Sequence, residues 1–320
     1  MAIRPALPAI RKAESLLRQH FAPTAVLTAP TLSRQGCAAY LKIETGLPTG
    51  SFKPRGALYA LAVRMERSPV TEVVASSTGN HGAAVAWAAK TLGVPARIFL
   101  PSNPNPVKRA KIAGLGAQIV EAGGVDLADA FLLASEYAER PGVYFLNDAT
   151  DPDLTAGPAT IGLEVLAQLP IVASIYVPMG DTALIRGIGA AMKQLAPSVK
   201  IIGVQAANAP SYFLSWQQGR AVPTETCNTC ADGLATRTPE AENVVAIREL
   251  VDDVRLVSEE EMVQAIGKLY RDENVVAEPA GAAAAAAFLK DDRVAGPAVL
   301  LVTGGNITAE VRHRAGIPAA

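Results

Sequence analysis

Residues 50–56 read Gly50-Ser51-Phe52-Lys53-Pro54-Arg55-Gly56. A lysine stands at the turn into a helix, preceded by a hydroxyl and flanked by glycines. Pro54 suits the first helical position, where its missing N–H costs nothing. Ala57, Leu58, Ala60, Leu61 and Met65 continue a helical pattern. Lys53 is therefore expected at the mouth of that helix, near the positive end of its dipole. Such a field helps an ammonium give up its proton, and a neutral amine can form a Schiff base. Taken alone, Lys53 reads more simply as an ordinary solvated lysine.

Outward from this stretch, short β-rich runs alternate with helical ones. Strands are expected over Ala38–Ile43, Glu72–Ser76, Ala96–Leu100, Gln118–Glu121, Val143–Leu146, Ser174–Val177, Lys200–Gln205 and Ala298–Val302. Helices are expected over Gly82–Leu92, Leu127–Glu139 after an Asp126 cap, Ala159–Leu169, Ala183–Leu195 and Met262–Tyr270. Ser258 and Glu261 form a capping box ahead of the last of these. The alanine-rich run Pro279–Leu289 is too short to cross a bilayer and reads as a tightly packed internal helix. Several strands are apolar throughout, as buried parallel strands are. The alternation implies an α/β fold with an open, mainly parallel sheet covered on both faces.

Bulk composition narrows the function classes. The chain has 320 residues, half of them hydrophobic, which allows a large core and two domains. Twenty-nine basic side chains against 30 acidic ones leave a net charge of -1. That balance offers no basic field for nucleic acid and no polybasic surface for anionic lipid. No signal peptide or membrane span is evident, so a cytoplasmic protein is expected. Three cysteines do not make a disulfide framework. Cys227 and Cys230 form a C-x-x-C pair without a second ligand pair, so reduced cysteines are expected rather than a metal site.

Ligands of such sheets bind where strands feed into helices. Four junctions qualify. The first is the Lys53 turn. The second, Ser76-Ser77-Thr78-Gly79-Asn80-His81-Gly82, gathers hydroxyls and amides at a helix start, well suited to a carboxylate. His81 taken alone reads as structural. The third is Pro178-Met179-Gly180-Asp181-Thr182-Ala183-Leu184, where free N–H groups could cradle a phosphate, although Asp181 would repel one and could simply cap the helix. The fourth, Thr303-Gly304-Gly305-Asn306, lets backbone approach a flat ligand closely.

In this order the four junctions resemble the fold-type II pyridoxal phosphate enzymes, the tryptophan synthase β family, over nearly the whole chain. Pro48-Thr49-Gly50-Ser51-Phe52-Lys53 with Arg55-Gly56 is similar to the lysine motif of its threonine and serine dehydratases and serine racemases. Ala156-Gly157, Thr160 to Glu164, Ala231-Asp232-Gly233-Leu234 and Glu278-Pro279-Ala280-Gly281 are also family-like. The resemblance implies two open, mainly parallel sheets flanked by helices, with the cofactor between a large domain (1–50 plus 155–320) and a small one (51–154). It implies that Lys53, beside Phe52, carries pyridoxal 5'-phosphate as a Schiff base and later moves the Cα proton. Asn80 would bond the cofactor's 3′ oxygen, Gly180, Asp181, Thr182, Ala183 and Leu184 its phosphate, and Thr303 its pyridine nitrogen. Ser77, Thr78, Gly79 and His81 would hold the substrate, with Thr78 also placed to act catalytically on the opposite face.

Two departures stand out. The family's phosphate loop is usually a run of four glycines before Leu, and here only Gly180 remains. The acidic residue often found four positions before Asp232 is Asn228, so no metal is expected. The implied activity is a lyase: β-elimination of a hydroxy amino acid such as L-threonine or L-serine to a 2-oxo acid and ammonia, by a homodimer with no appended regulatory domain. Alternatives are a threonine synthase-like or β-replacement transferase, for which Lys108, Arg109 and Arg186 are the candidates to bind a phospho-substrate, although each reads more simply as a solvated helix charge, or an amino-acid racemase. A ligand-binding α/β protein without chemistry lacks support, since no G-x-G-x-x-G or P-loop is present.

Overall fold

The strands that are apolar throughout take the centre of a sheet, because both of their faces are covered. The computed structural model describes residues 4–102, 104, 106–124, 127–293 and 296–319. Its larger sheet holds β1 (Val26–Thr28), β2 (Ala39–Ile43), β7 (Ser174–Pro178), β8 (Lys200–Ala206), β9 (Asp253–Val257) and β10 (Ala298–Val302), in the order β1-β2-β10-β7-β8-β9. Only the β1–β2 pair is antiparallel. The smaller sheet holds β3 (Glu72–Ser76), β4 (Ala96–Leu100), β5 (Gln118–Glu121) and β6 (Val143–Phe145), all parallel, in the order β5-β4-β3-β6. The single sheet suggested by the alternation is thus two sheets, as the family resemblance implied.

The helices are α1 (Leu7–Leu17), α2 (Pro54–Arg67), α3 (Asn80–Leu92), α4 (Pro106–Gly114), α5 (Leu127–Tyr137), α6 (Ala156–Gln168), α7 (Ala183–Leu195), α8 (Ser211–Gln218), α9 (Ala241–Leu250), α10 (Glu259–Glu273), α11 (Pro279–Leu289) and α12 (Ala309–Arg314). The capping box at Ser258 and Glu261 forms as expected. Asp126, expected to cap α5, lies outside the described residues. Every residue of α11 from Pro279 to Phe288 is buried. Its alanines let it lie close against the larger sheet, where Ala282 to Ala287 join Leu300 and Tyr176 in one core cluster. The strands missed in sequence, β1 and β9, are edge strands. β1 is short and largely exposed, and β9 alternates Asp253 and Arg255 with Val254 and Leu256.

One buried polar cluster fixes the lysine turn. Arg55 follows Lys53 by two residues and is fully buried. Its guanidinium bonds Glu44 through Nε (2.7 Å) and Nη2 (3.0 Å). It bonds Glu164 of α6 through Nη1 (2.8 Å) and Nη2 (2.9 Å). Nη1 also donates to Thr160 Oγ1 at 2.9 Å. Lys42 of β2, fully buried as well, donates to Glu164 and to the Thr24 carbonyl, each at 2.6 Å. Burial works against the charge on Glu164, but bonds and fields from Arg55 and Lys42 outweigh it and hold its carboxyl down to about 2. The cluster ties the start of α2 to the large sheet and to α6.

Arg55→Ala would leave Glu44 and Glu164 buried without their main counter-charge. A loss of about 3–5 kcal/mol in unfolding free energy is expected, measured by urea denaturation. A loss below about 1 kcal/mol would contradict the clamp described here.

Candidate active site

Lys53 is the N-cap residue of α2, with Pro54 at the first helical position, as its sequence context predicts. The fourth junction holds the turn from below. Ser51 bridges Gly304, Phe52 N–H donates to the Thr303 carbonyl (3.0 Å), and Gly305 N–H donates to the Gly50 carbonyl (3.0 Å). Thr303 is buried directly under the lysine turn. The second junction reaches the same place. Asn80 Nδ2 donates to Glu278 Oε1 at 2.7 Å, and Asn80 Oδ1 accepts from Asn306 Nδ2 at 2.7 Å. A Cβ at Gly304 would lie 2.3 Å from Glu278 Oε1, so a side chain there would have to displace the Glu278 carboxylate.

Capping does not account for the hydroxyls and amides of the second junction. Gly79 is the N-cap of α3, and no side chain bonds its first-turn amides. Ser77 Oγ accepts the Gly79 N–H at 3.2 Å. Thr78 is half-buried beside them. His81 is buried, with Nε2 at 2.8 Å from the Leu146 carbonyl. Burial lowers its proton affinity, and the charge of Asp148 only partly offsets this. Ser51 Oγ, Ser76 Oγ and His81 Nδ1 are buried without a hydrogen-bond partner among the described residues.

The third junction keeps a glycine-like backbone without the glycines. Thr182 is the N-cap of α7 in the left-handed region, φ 69°, a conformation that normally favours glycine. Gly180 must be glycine because a Cβ there would lie 2.1 Å from the Gly233 carbonyl oxygen. Ala183 and Leu184 are buried behind the loop. Asp181 does not cap the helix. Its Oδ1 accepts from Thr236 Oγ1 at 3.0 Å. Burial, then the charge of Asp148, push its carboxyl up to about 6, against the pull of Lys53, Thr236 and Arg186. The repulsion expected between Asp181 and a phosphate is therefore weakened where it carries its proton.

Arg186 was expected as a solvated helix charge, and the structure overturns this. It is fully buried in the first turn of α7. Its Nε donates to Thr182 Oγ1 (3.0 Å) and its Nη2 to the Ala149 carbonyl (2.9 Å). Burial lowers its pKa to about 10, so it remains cationic at neutral pH. Lys108 pairs with Asp232, and Arg109 with Glu121 at 2.7 Å. Among the described residues no cluster of metal-ligating side chains occurs. Cys227 and Cys230 are unbridged.

Lys53 Nζ donates to Asp148 Oδ2 at 2.5 Å. Burial opposes the charge on Asp148, but the fields of His81 and Lys53 and the Lys53 bond hold its carboxyl well below the usual range. Sequence reading missed Asp148, as well as the roles of Glu278, Asn306 and Thr236. The position of Asp148 just beyond the C-terminal end of β6 was the available signal.

The surroundings of Lys53 suit an aromatic aldehyde phosphate. An amine stands at a helix mouth, and the uncapped start of α7 beside Arg186 and Thr182 offers donors to an anion. The model for the family described as pyridoxal-phosphate dependent enzyme matches residues 17–304. The chain is 38% identical over 307 residues to the L-threonine ammonia-lyase of Thermotoga maritima, spanning 95% of this chain and 76% of that protein. Its fold is similar to that of maize serine racemase, with a TM-score of 0.91, 27% identity and coverage of 99% and 97% of the two chains. It is also similar to the T.th. threonine deaminase, with a TM-score of 0.87, 32% identity and coverage of 95% and 99%. The family and the fold implied by the sequence motifs are both borne out.

Asp181 makes a pH signature. Its folded carboxyl titrates at about 6, above the ordinary value near 4, so the folded state binds the extra proton between those values and stability falls as pH rises through that window. In the cofactor-free protein, Asp181→Asn should raise stability at pH 8 by on the order of 2 kcal/mol, with the gain vanishing below about pH 4. Thermal unfolding across pH checks this, and a gain independent of pH would contradict it.

Proposed function

The chain belongs to the pyridoxal-phosphate dependent enzyme family, and from that premise we propose that it is a lyase for a β-hydroxy amino acid such as L-threonine or L-serine. The observation that carries this reading is the Lys53 amine, set at the meeting point of all four junctions on a turn clamped by Arg55. Kinship with a threonine ammonia-lyase supports the same direction.

When bound, pyridoxal phosphate supplies an aldehyde for Lys53 and a ring that draws electrons from the substrate's Cα. Asn80 and Thr303 would orient that ring, and Gly180, Asp181, Thr182, Ala183 and Leu184 would bind its phosphate, with Phe52 beside the lysine. Ser77, Thr78, Gly79 and His81 would hold the substrate's α-carboxylate at the start of α3. Lys53, once its amine is free, would be placed to remove the Cα proton of a bound substrate. The β-hydroxyl departs as water. The enamine that is released takes up water and falls to a 2-oxo acid and ammonia. A neutral hydroxyl at Thr303, rather than a carboxylate, would leave a ring nitrogen held there largely unprotonated, which would favour prompt loss of the β-substituent.

The same reading takes residues 1–50 plus 155–320 as a large cofactor-binding domain and 51–154 as a small one. The four strands β3 to β6 fall within the small segment, and the six others fall outside it. It takes the enzyme to be a cytoplasmic homodimer. The three unpaired cysteines agree with a reducing compartment, and no helix among the described residues is long and apolar enough to cross a membrane. Light scattering of the purified enzyme tests the dimer.

Racemisation is the second reading, favoured by the similarity to maize serine racemase. Incubation of the loaded enzyme with L-serine separates the two: 2-oxo acid release supports the lyase, and D-serine without 2-oxo acid supports the racemase. Lys53→Ala should lower 2-oxo acid release at least ~1000-fold and remove the visible absorbance of the loaded protein while leaving its far-ultraviolet spectrum unchanged. Full activity in that variant would refute the mechanism.

A further inference from the structure

Asp148 is a half-buried carboxylate that the steps above do not use. Its side chain is 18% exposed, and its Oδ2 lies 2.5 Å from Lys53 Nζ and 3.9 Å from His81 Nδ1. The backbone that carries it is firmly held. Asn147 Oδ1 accepts the Ala149 N–H (3.0 Å), and the Ala149 carbonyl accepts from Arg186 Nη2 (2.9 Å) and Asn243 Nδ2 (3.0 Å). His81 faces it from α3 in a site whose burial disfavours the imidazolium. Lys53 is thus the cation in contact with Asp148.

We propose that Asp148 selects the substrate class of this site: it admits amino acids whose β-substituent is an uncharged hydroxyl and rejects those carrying a second carboxylate on the β-carbon. The inference rests on the lyase reading. For Lys53 to take the Cα proton, Cα must come within about 3.5 Å of Nζ. Cα then lies within about 6 Å of Asp148 Oδ2, and the oxygens of a carboxylate on the β-carbon, three bonds further on, lie within about 10 Å of it. In a partly buried site a like charge at this distance weakens binding by roughly 10- to 100-fold. Asp181, which interacts electrostatically with both Asp148 and Lys53, adds to this field when ionised. A hydroxyl meets no such penalty, because an ionised carboxylate accepts hydrogen bonds and a hydroxyl can donate one. Discrimination by a repulsive group is a common route to specificity.

The discriminating substrate is 3-hydroxyaspartate, which keeps the β-hydroxyl of threonine and replaces its methyl by a carboxylate. With the loaded enzyme, kcat/KM for 2-oxo acid release from L-threonine should exceed that from L-threo-3-hydroxyaspartate by at least ~30-fold. In Asp148→Asn that ratio should narrow by ~10-fold or more, chiefly through a lower KM for the acidic substrate. A second readout needs no turnover. L-Alanine and L-aspartate, which lack the leaving group, are titrated while the visible absorbance is followed; the wild type should bind alanine tighter, and Asp148→Asn should gain ~10-fold for aspartate. Equal handling of both acids by the wild type, or an unchanged preference in the variant, overturns the inference. Should neither hydroxy acid yield a 2-oxo acid, the lyase reading fails, while the alanine and aspartate titration still decides the role of Asp148. Should the variant fail to accumulate, equal binding of alanine and aspartate by the wild type overturns the proposal and a clear preference for alanine supports it.

Discussion

The bidentate grip of Arg55 on two carboxylates is the interaction on which the rest of the cleft depends. Both Glu44 and Glu164 lie within hydrogen-bond reach of one guanidinium that has no exposure to solvent. Removing three or more charges from water is expensive, and apolar packing of the same volume would often be as stable. What apolar packing does not supply is direction. The planar fork of arginine accepts partners at fixed angles, so the first turn of α2 can dock on β2 and α6 in one orientation only. Lys53 stands two residues before that fork. Its amine therefore inherits the position of a rigid cluster rather than that of a surface loop.

The cleft itself follows from topology. The C-terminal ends of β2, β10 and β7 from one sheet and of β3 and β6 from the other converge, and each contributes a loop. Backbone bonds join the Lys53 turn to Thr303–Gly305, and the Asn80–Glu278–Asn306 chain joins α3 to the same loop. Arg186 ties the α7 start to the Asp148 loop through the Ala149 carbonyl. Side chains far apart in sequence are held by bonds between loops, and a change in one loop is felt by the others. Thr182 shows how strong that constraint is. It keeps a left-handed backbone that costs a β-branched residue of order 1 kcal/mol or more, and the loop shape survives the loss of the glycines that usually provide it.

How much was legible in the sequence depended on how local each signal is. Lys53 at the mouth of a helix, the polar junctions and the central apolar strands are written in contiguous residues, and the structure places them as expected. β1 and β9 were missed because an edge strand is exposed on one side and loses its apolar pattern. The burial of Arg186 was missed because helix periodicity cannot say what covers the first turn; here the loop at Ala149 does. Asp148 was missed for a plainer reason. It stands 95 positions from Lys53 in the chain, and only the parallel placement of β6 beside β3 brings its loop over the cleft.

The charges left in the cleft explain why a carboxylate in a phosphate-binding loop is tolerable. Lys53 and Arg186 face Asp148 and Asp181, and Asp148 holds its charge against Lys53 while Asp181 gives way, titrating at about 6. Two carboxylates that interact in a buried site do not ionise independently, and the one with weaker partners keeps its proton. Asp181 has a hydroxyl from Thr236 where Asp148 has an ammonium. An anion arriving at the start of α7 adds a further negative charge beside Asp181 and shifts it towards the protonated form, in which it can donate to an oxygen rather than repel it. The substitution that looked hostile to a phosphate in the sequence thus becomes a second donor beside Thr182, provided that Asp148, not Asp181, carries the negative charge of the pair.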